Sequence, residues 1–246
     1  MLYDEYNREE RYVCSHLFRL LHDWIAPSSS GKKMAEFLAL SGMTSAPVDW
    51  SALKIFSEVA LIRDAYFARK PQVSPFMDSL VSHIAAQEGV VSYTHFGDMP
   101  QTLTDPALTH PKQILEKARS EGMKLSDSDQ RVYGSVQAAF NAKPDLAIAG
   151  PKDLIVYEAK FTQAFDPGQL ERTTKIADIW ATILYADLGF ATKPKVLIAR
   201  IGHASADPDV SWNWLAEAAA STYAAQDRTR IALANAVAFL QRPHGA

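Results

Sequence analysis

Two short apolar runs separated by four turn-forming residues constrain the fold of this chain more than any other feature. Residues 144–149 and 154–161 are rich in Leu, Ile, Val and Ala, and Gly150-Pro151-Lys152-Asp153 lies between them. Apolar runs of this length, bounded by Gly, Pro and Asp, are typical of two strands joined by a tight turn. The sequence therefore predicts a pair of antiparallel, buried strands at 145–149 and 154–161.

Helical patterns surround this pair. The region 168–188 repeats Leu, Ile and Trp at helical spacing, 195–201 has the composition of a buried strand, and 209–241 is Ala-rich and helical. Before the pair, helices are predicted at 6–25, 32–42, 51–69, 76–88 and 112–121. One more strand is predicted, at 90–96 or at 132–140, although Ser126 could also begin a helix through the second of these segments.

These patterns predict an α/β fold with a central mixed β-sheet flanked by helices. Of the 246 residues, 48% are hydrophobic and 22% are charged, which supports a packed core and excludes a disordered chain. We expect a single domain over 1–246. Its core would lie at about 143–201, with helical additions at 1–90 and 209–241.

The composition also limits the class of protein. The formal net charge of −3 lacks the strongly basic character of a nucleic-acid coat protein, but a local basic groove needs only a few Lys and Arg side chains. Cys14 is the single cysteine, so an internal disulfide and a Cys-rich zinc site are excluded. The acidic first residues and the short apolar stretch at 177–190 match neither a secretory signal nor a membrane span. We expect a cytoplasmic protein with no membrane partner, and the sequence leaves open a homodimer or a protein partner.

Two charged residues interrupt the second apolar run. Because successive side chains of a strand point to opposite faces, Glu158 and Lys160 share one face. Charges in such a core-like strand are unfavourable unless they are paired or bound to a metal ion. Antiparallel pairing through the turn would bring Asp145 toward them, and two carboxylates that meet there favour a divalent cation. Oxygen ligands without thiols suit Mg²⁺ or Mn²⁺.

The motif resembles the PD-(D/E)XK nuclease superfamily, whose members share a restriction-endonuclease-like core. Pro144-Asp145 matches the first half of the family motif, and Glu158-Ala159-Lys160 matches the second half. The predicted order of strand, strand, helix and strand also fits the family.

The resemblance implies a role for each motif residue. Asp145, Glu158 and the carbonyl of Ala159 would hold the metal ion, and Lys160 would orient or activate the attacking water and offset charge in the transition state. Several branches of the family place a Gln at the start of the following helix, which corresponds to Gln169 here. Some of these branches add a Tyr four positions later, where this chain has Thr173.

The family often carries a further Glu on its first helix. Glu10 is the best candidate, because it lies on one helical stripe with Val13 and Leu17. Glu58, on the helix predicted at 51–69, is the alternative. An ordinary solvated carboxylate is the simpler interpretation of either residue.

The resemblance implies a Mg²⁺- or Mn²⁺-dependent nuclease that hydrolyses phosphodiester bonds, with DNA as the favoured substrate and a restriction, repair or anti-phage role. One alternative is a catalytically silent member of the same fold that serves as a nucleic-acid-binding or assembly module. The other is an unrelated α/β protein, in which Asp145 would lie far from Glu158. Trp212 and Trp214 could stack on bases, but core packing is the favoured interpretation.

Overall fold

The structure of the protein is a computed structural model that describes residues 10–43, 49–160, 165–203 and 206–240. The described residues form two compact units. The sheet unit takes in residues up to Val59, Pro144–Thr174 and residues from Pro194 onward, and the helical unit takes in Ala60–Lys143 and Lys175–Lys193. The single domain expected over 1–246 stays a prediction.

The sheet unit is built on a five-stranded mixed sheet with the strand order β1-β2-β3-β4-β5. Neighbouring strands pair antiparallel from β1 to β3 and parallel from β3 to β5. The strands are β1 (Lys54–Phe56), β2 (Leu146–Ala149), β3 (Asp153–Ala159), β4 (Lys195–Gly202) and β5 (Val210–Ser211). The molecule thus has the α/β class that the sequence predicts, and β2, β3 and β4 confirm the three strands predicted at 145–149, 154–161 and 195–201.

Four helices of the sheet unit cover one face of this sheet. They are α1 (Glu10–Ile25), α2 (Lys32–Leu40), α9 (Trp212–Thr222) and α10 (Arg228–Leu240). Their apolar side chains form one buried cluster with the odd-numbered residues of β3 and β4, among them Tyr157 and Ile201. The Tyr157 ring stacks on Phe37 at a centroid distance of 5.3 Å, and its hydroxyl donates to Ser41 Oγ at 2.9 Å. Because alternate residues of a strand face opposite sides, Val156 and Glu158 point away from this cluster.

Helix α8 (Pro167–Ile183) follows β3 and precedes β4. Because β3 and β4 are parallel, both strands start at the same end of the sheet. The chain must therefore return to that end after β3, and a crossover that contains α8 spans this distance. The sequence predicts a longer helix, 168–188, but the structure ends α8 at Ile183.

The helical unit contains five further helices. These are α3 (Leu61–Ala68), α4 (Ser74–Gln87), α5 (Gln101–Thr104), α6 (Ile114–Ser120) and α7 (Asp127–Asn141). A capping box begins α7: Ser126 Oγ accepts a hydrogen bond from the Asp129 N–H at 3.1 Å, and the Asp129 carboxylate accepts from the Ser126 N–H at 3.2 Å. Within the described ranges, no helix is long and apolar enough to cross a membrane.

Two predictions about the region before β2 are wrong. The helix predicted at 51–69 is instead a 3-10 turn at Trp50–Ala52, strand β1 and helix α3, because Ile55 pairs with Ile148 in the sheet. Neither 90–96 nor 132–140 is a strand: the first has no regular structure before a 3-10 turn at Phe96–Asp98, and the second lies within α7. The Ser126 cap and the burial of one side of α7 outweigh the β-branched and aromatic residues of that segment.

Candidate active site

Strand β3 ends in a buried ion pair. Lys160 Nζ lies 3.1 Å from Glu158 Oε1, and the two residues are only 8% and 5% exposed. Both charged side chains therefore lie on one face of the sheet, which confirms the alternation predicted along β3. The Lys160 N–H donates to the Ile201 carbonyl at 2.8 Å, and the Lys160 carbonyl accepts from Trp212 Nε1 at 2.9 Å. These two backbone contacts fix the position of Lys160 just beyond the end of the strand.

The first turns of α8 hold the Glu158 carboxylate. Gln169 Nε2 donates to Glu158 Oε1, and Thr173 Oγ1 donates to Glu158 Oε2 at 3.2 Å. Residues four apart lie on the same face of a helix, so both donors approach from one side. The carboxylate thus has one cation and two neutral donors as partners, which offsets part of the unfavourable free energy of burying its charge.

Asp145 lies at the position opposite Glu158. The β2–β3 register pairs Leu146 with Tyr157, and its next step pairs Asp145 with Glu158. Directly opposed residues of an antiparallel pair share one face, so Asp145 is on the same face of the sheet as the ion pair. Its Oδ2 accepts a hydrogen bond from the Ala159 N–H at 2.9 Å, and its carbonyl accepts from Ser57 Oγ at 3.2 Å. The two strands therefore place Asp145 on the same face of the sheet as Glu158 and Lys160.

Pro144 explains how the Ala159 carbonyl can serve as a ligand. The same register places Pro144 opposite Ala159. Proline has no N–H, so it donates no ladder hydrogen bond to that carbonyl. In an extended strand, the N–H and C=O of one residue point to the same side. Since the Ala159 N–H is directed at Asp145, its carbonyl is directed to the same side of β3.

The two candidates for a third carboxylate have different outcomes. Glu10 is the first residue of α1, and its side chain lies outside the described residues. The sequence predicts Glu58 on a helix, and this prediction is wrong. Glu58 lies in the turn after β1, where its φ is 56° and the residue is half-buried. That turn is beside Asp145, because Ser57 is the residue that donates to the Asp145 carbonyl.

The donor atoms of this site fit a hard divalent cation. The Asp145 and Glu158 carboxylates and the Ala159 carbonyl provide only oxygen atoms, which Mg²⁺ and Mn²⁺ prefer. Within the described part of the chain, no group of three His, Cys, Asp or Glu side chains is placed to hold a metal ion. The site therefore offers two carboxylates and one backbone carbonyl as candidate ligands.

Sequence reasoning misses two neighbours of Glu158. The hydroxyl of Thr173, singled out only as a departure from the Tyr of some branches, is a direct hydrogen-bond donor to the carboxylate. Arg200 is paired with Glu158 in the parallel register of β3 and β4. Such a register depends on the geometry of the crossover, which no local pattern encodes. Trp212 is fully buried, which confirms the core-packing interpretation.

No protein-family model, curated protein or solved structure matches this chain.

Proposed function

We propose that this protein is a metal-dependent nuclease of the PD-(D/E)XK kind that hydrolyses phosphodiester bonds, with DNA as its favoured substrate. The observation that carries the proposal is the buried Glu158–Lys160 ion pair, 3.1 Å between Nζ and Oε1, with Asp145 opposite Glu158 on the adjacent strand.

The burial of this pair favours a functional role over a structural one. A buried ion pair is weak evidence for stability, because well-packed apolar residues of similar volume often stabilise a protein as well or better. Here β3 is buried along its whole length, and its other even-numbered positions 154 and 156 are Leu and Val. Two charges at the end of such a strand, with a third opposite, are therefore better explained by a functional role than by stability.

The order of elements around the pair adds support. The chain passes from β2 to β3 through a tight turn, then through α8 to β4, which is the order expected from the resemblance. Gln169 on α8 donates to Glu158, and the corresponding Gln of the family lies near the active site.

The residues have distinct roles in the proposed hydrolysis. Asp145, Glu158 and the Ala159 carbonyl would hold Mg²⁺ or Mn²⁺, which when bound polarises the phosphate and lowers the pKa of a water molecule. Lys160 places its ammonium beside this ligand set and stabilises the negative charge that develops as water attacks phosphorus and the P–O bond to the leaving oxygen breaks. Gln169 and Thr173 keep the Glu158 carboxylate in one orientation.

Removing the metal ion is expected to abolish the activity reversibly. Plasmid, linear duplex and single-stranded DNA are incubated with the protein in Mg²⁺, in Mn²⁺ or in EDTA, and products are separated on gels. We expect cleavage in Mg²⁺ or Mn²⁺, none in EDTA, and full recovery when Mg²⁺ is added back in excess. DNA binding without cleavage in either metal would identify the silent binding module instead. A protein that neither binds nor cleaves DNA would overturn both.

A Glu10→Gln substitution is expected to raise the Mg²⁺ concentration needed for half-maximal cleavage, because it removes one negative charge while preserving size. Thermal stability without metal should change little. Glu9→Gln is the matched control, because it removes the same charge from the neighbouring residue in the sequence. The same titration on Glu58→Gln tests the turn after β1. If only the Glu58 variant shifts the curve, the third carboxylate belongs to that turn, and Glu10 has no part in metal binding.

A further inference from the structure

Arg200 lies next to Glu158 on the same face of the sheet. The parallel register pairs the two residues directly, and neighbouring strands are about 4.8 Å apart. The adjacent residues of β4, Ala199 and Ile201, are fully buried in the cluster on the opposite face. The Arg200 side chain therefore points to the side of the sheet that carries the ion pair.

Two contacts hold the Arg200 side chain in place. Asp209 Oδ2 accepts hydrogen bonds from the Arg200 N–H at 2.7 Å and from Nε at 3.2 Å. The guanidinium lies over the Phe165 ring, with its central carbon 5.5 Å from the ring centroid. The side chain is 32% exposed, and its two terminal nitrogens make no hydrogen bond to any residue that the structure describes.

Gly202 makes room for the aromatic ring of this arrangement. A Cβ atom at Gly202 would lie 3.0 Å from two atoms of the Phe165 ring, which is closer than such atoms normally approach. One step beyond the Ala159–Ile201 pair, the register places Gly202 beside Lys160. The missing side chain thus lets Phe165 rest against β4 and beside the guanidinium.

We propose that Arg200 is a phosphate-binding residue of this site, which holds a phosphodiester group of the substrate strand beside Lys160. This inference rests on the proposed nuclease function. A guanidinium presents its terminal N–H groups in a planar fork that matches phosphate oxygens, and Asp209 and Phe165 orient that fork before the substrate arrives. The Arg200 and Asp209 side chains are 32% and 34% exposed, and an ion pair that water reaches contributes little to stability. Phosphate binding therefore accounts for the arrangement better than stability does.

The test is DNA binding in EDTA, where metal-dependent cleavage does not proceed. Anisotropy of a labelled duplex gives the affinity at several salt concentrations. We expect Arg200→Ala to weaken binding about tenfold, because one charge-assisted contact is lost. The slope of log K against log salt should fall by about 0.9, the value for one phosphate contact on duplex DNA. Arg200→Lys keeps the charge, so its slope should stay near that of the wild-type protein while its affinity falls by less.

Two more variants separate this contact from general effects of charge and folding. Gly202→Ala leaves every charge in place but displaces Phe165, so it should weaken binding in the same direction and by less than Arg200→Ala. Arg19 lies on α1, which covers the opposite face of the sheet, and it is also paired with an aspartate, Asp227. Arg19→Ala therefore removes a comparable arginine away from the proposed site. It should bind DNA like the wild-type protein. Circular dichroism and thermal melting of each variant check that the fold is retained.

The experiment distinguishes a failure of the Arg200 role from a failure of the nuclease function. If the wild-type protein binds and cleaves DNA while Arg200→Ala has unchanged affinity and salt slope, the phosphate-binding role is wrong and the nuclease function stands. An equal loss in Arg200→Ala and Arg19→Ala would also overturn the role, because it would reflect net charge alone. A wild-type protein that neither binds nor cleaves DNA would overturn the nuclease function and this inference together.

Discussion

Replacing Lys160 with methionine is expected to slow DNA cleavage by about 10²–10³-fold, the usual effect of removing one group that stabilises transition-state charge. The Lys160 ammonium lies 3.1 Å from Glu158 Oε1, and Lys160 as a whole is 8% exposed, so the charge acts where water screens it weakly. Because the negative charge that it stabilises develops mainly in the transition state, DNA affinity in EDTA should change little. The measurement is the initial rate of cleavage at saturating Mg²⁺ and DNA.

Lys152→Met is the matched control for this experiment. Lys152 lies in the turn at the other end of the same strand pair, and its side chain is exposed. The substitution is chemically identical, so it corrects for the loss of one positive charge and the gain of one apolar side chain. If Lys160→Met cleaves DNA as fast as Lys152→Met, Lys160 has no role in the reaction.

The second large effect is on stability. Lys160→Met is also expected to lower the free energy of unfolding by about 3–5 kcal/mol, because it leaves the Glu158 carboxylate buried without its cation. Adding Glu158→Gln should restore most of this loss, since a neutral pair in a buried site is often as stable as an ion pair. The Gln side chain can still accept a hydrogen bond from Gln169. Urea denaturation of the four proteins in EDTA gives the complete double-mutant cycle.

One outcome of this double-mutant cycle would contradict the ion pair seen in the structure. If the stability losses of the two single variants simply add in the double variant, Glu158 and Lys160 do not interact. They would then be separately solvated rather than paired in a desolvated site.

The sequence predicts the centre of the sheet correctly because its signals there are local. Gly150 and Asp153 close the turn between β2 and β3 through a hydrogen bond of 2.9 Å from the Gly150 N–H to the Asp153 carbonyl. Alternation along β3 then places Glu158 and Lys160 on one face without further information. The same argument extends to Asp145, whose position follows from antiparallel pairing across a short turn.

Strand β1 illustrates what local patterns miss. It has only three residues, Lys54–Phe56, and residues 57–145 separate it from its partner β2. Apolar residues at helical spacing surround it, so the pattern favours one continuous helix. Pairing with β2 decides the conformation, and that contact is distant in sequence.

The segment 132–140 shows the opposite error. Val132, Tyr133, Val136 and Phe140 favour a strand by composition, but they are also spaced at three, four and seven residues and are all buried in α7. The helical spacing and the capping box were the decisive signals. At the site, the hydroxyl of Thr173 and the position of Arg200 depend on how α8 and β4 return to β3, which the sequence does not reveal.

Cleavage by the wild-type protein and by the Glu158→Gln/Lys160→Met double variant, purified side by side, tests the central claim most directly. The two proteins should have similar stability and the same net charge, so a difference in activity reports on the site itself. In Mg²⁺, the wild-type protein is expected to cleave DNA and the double variant to leave it intact. Equal cleavage by both proteins would show that Glu158 and Lys160 do not form a nuclease site.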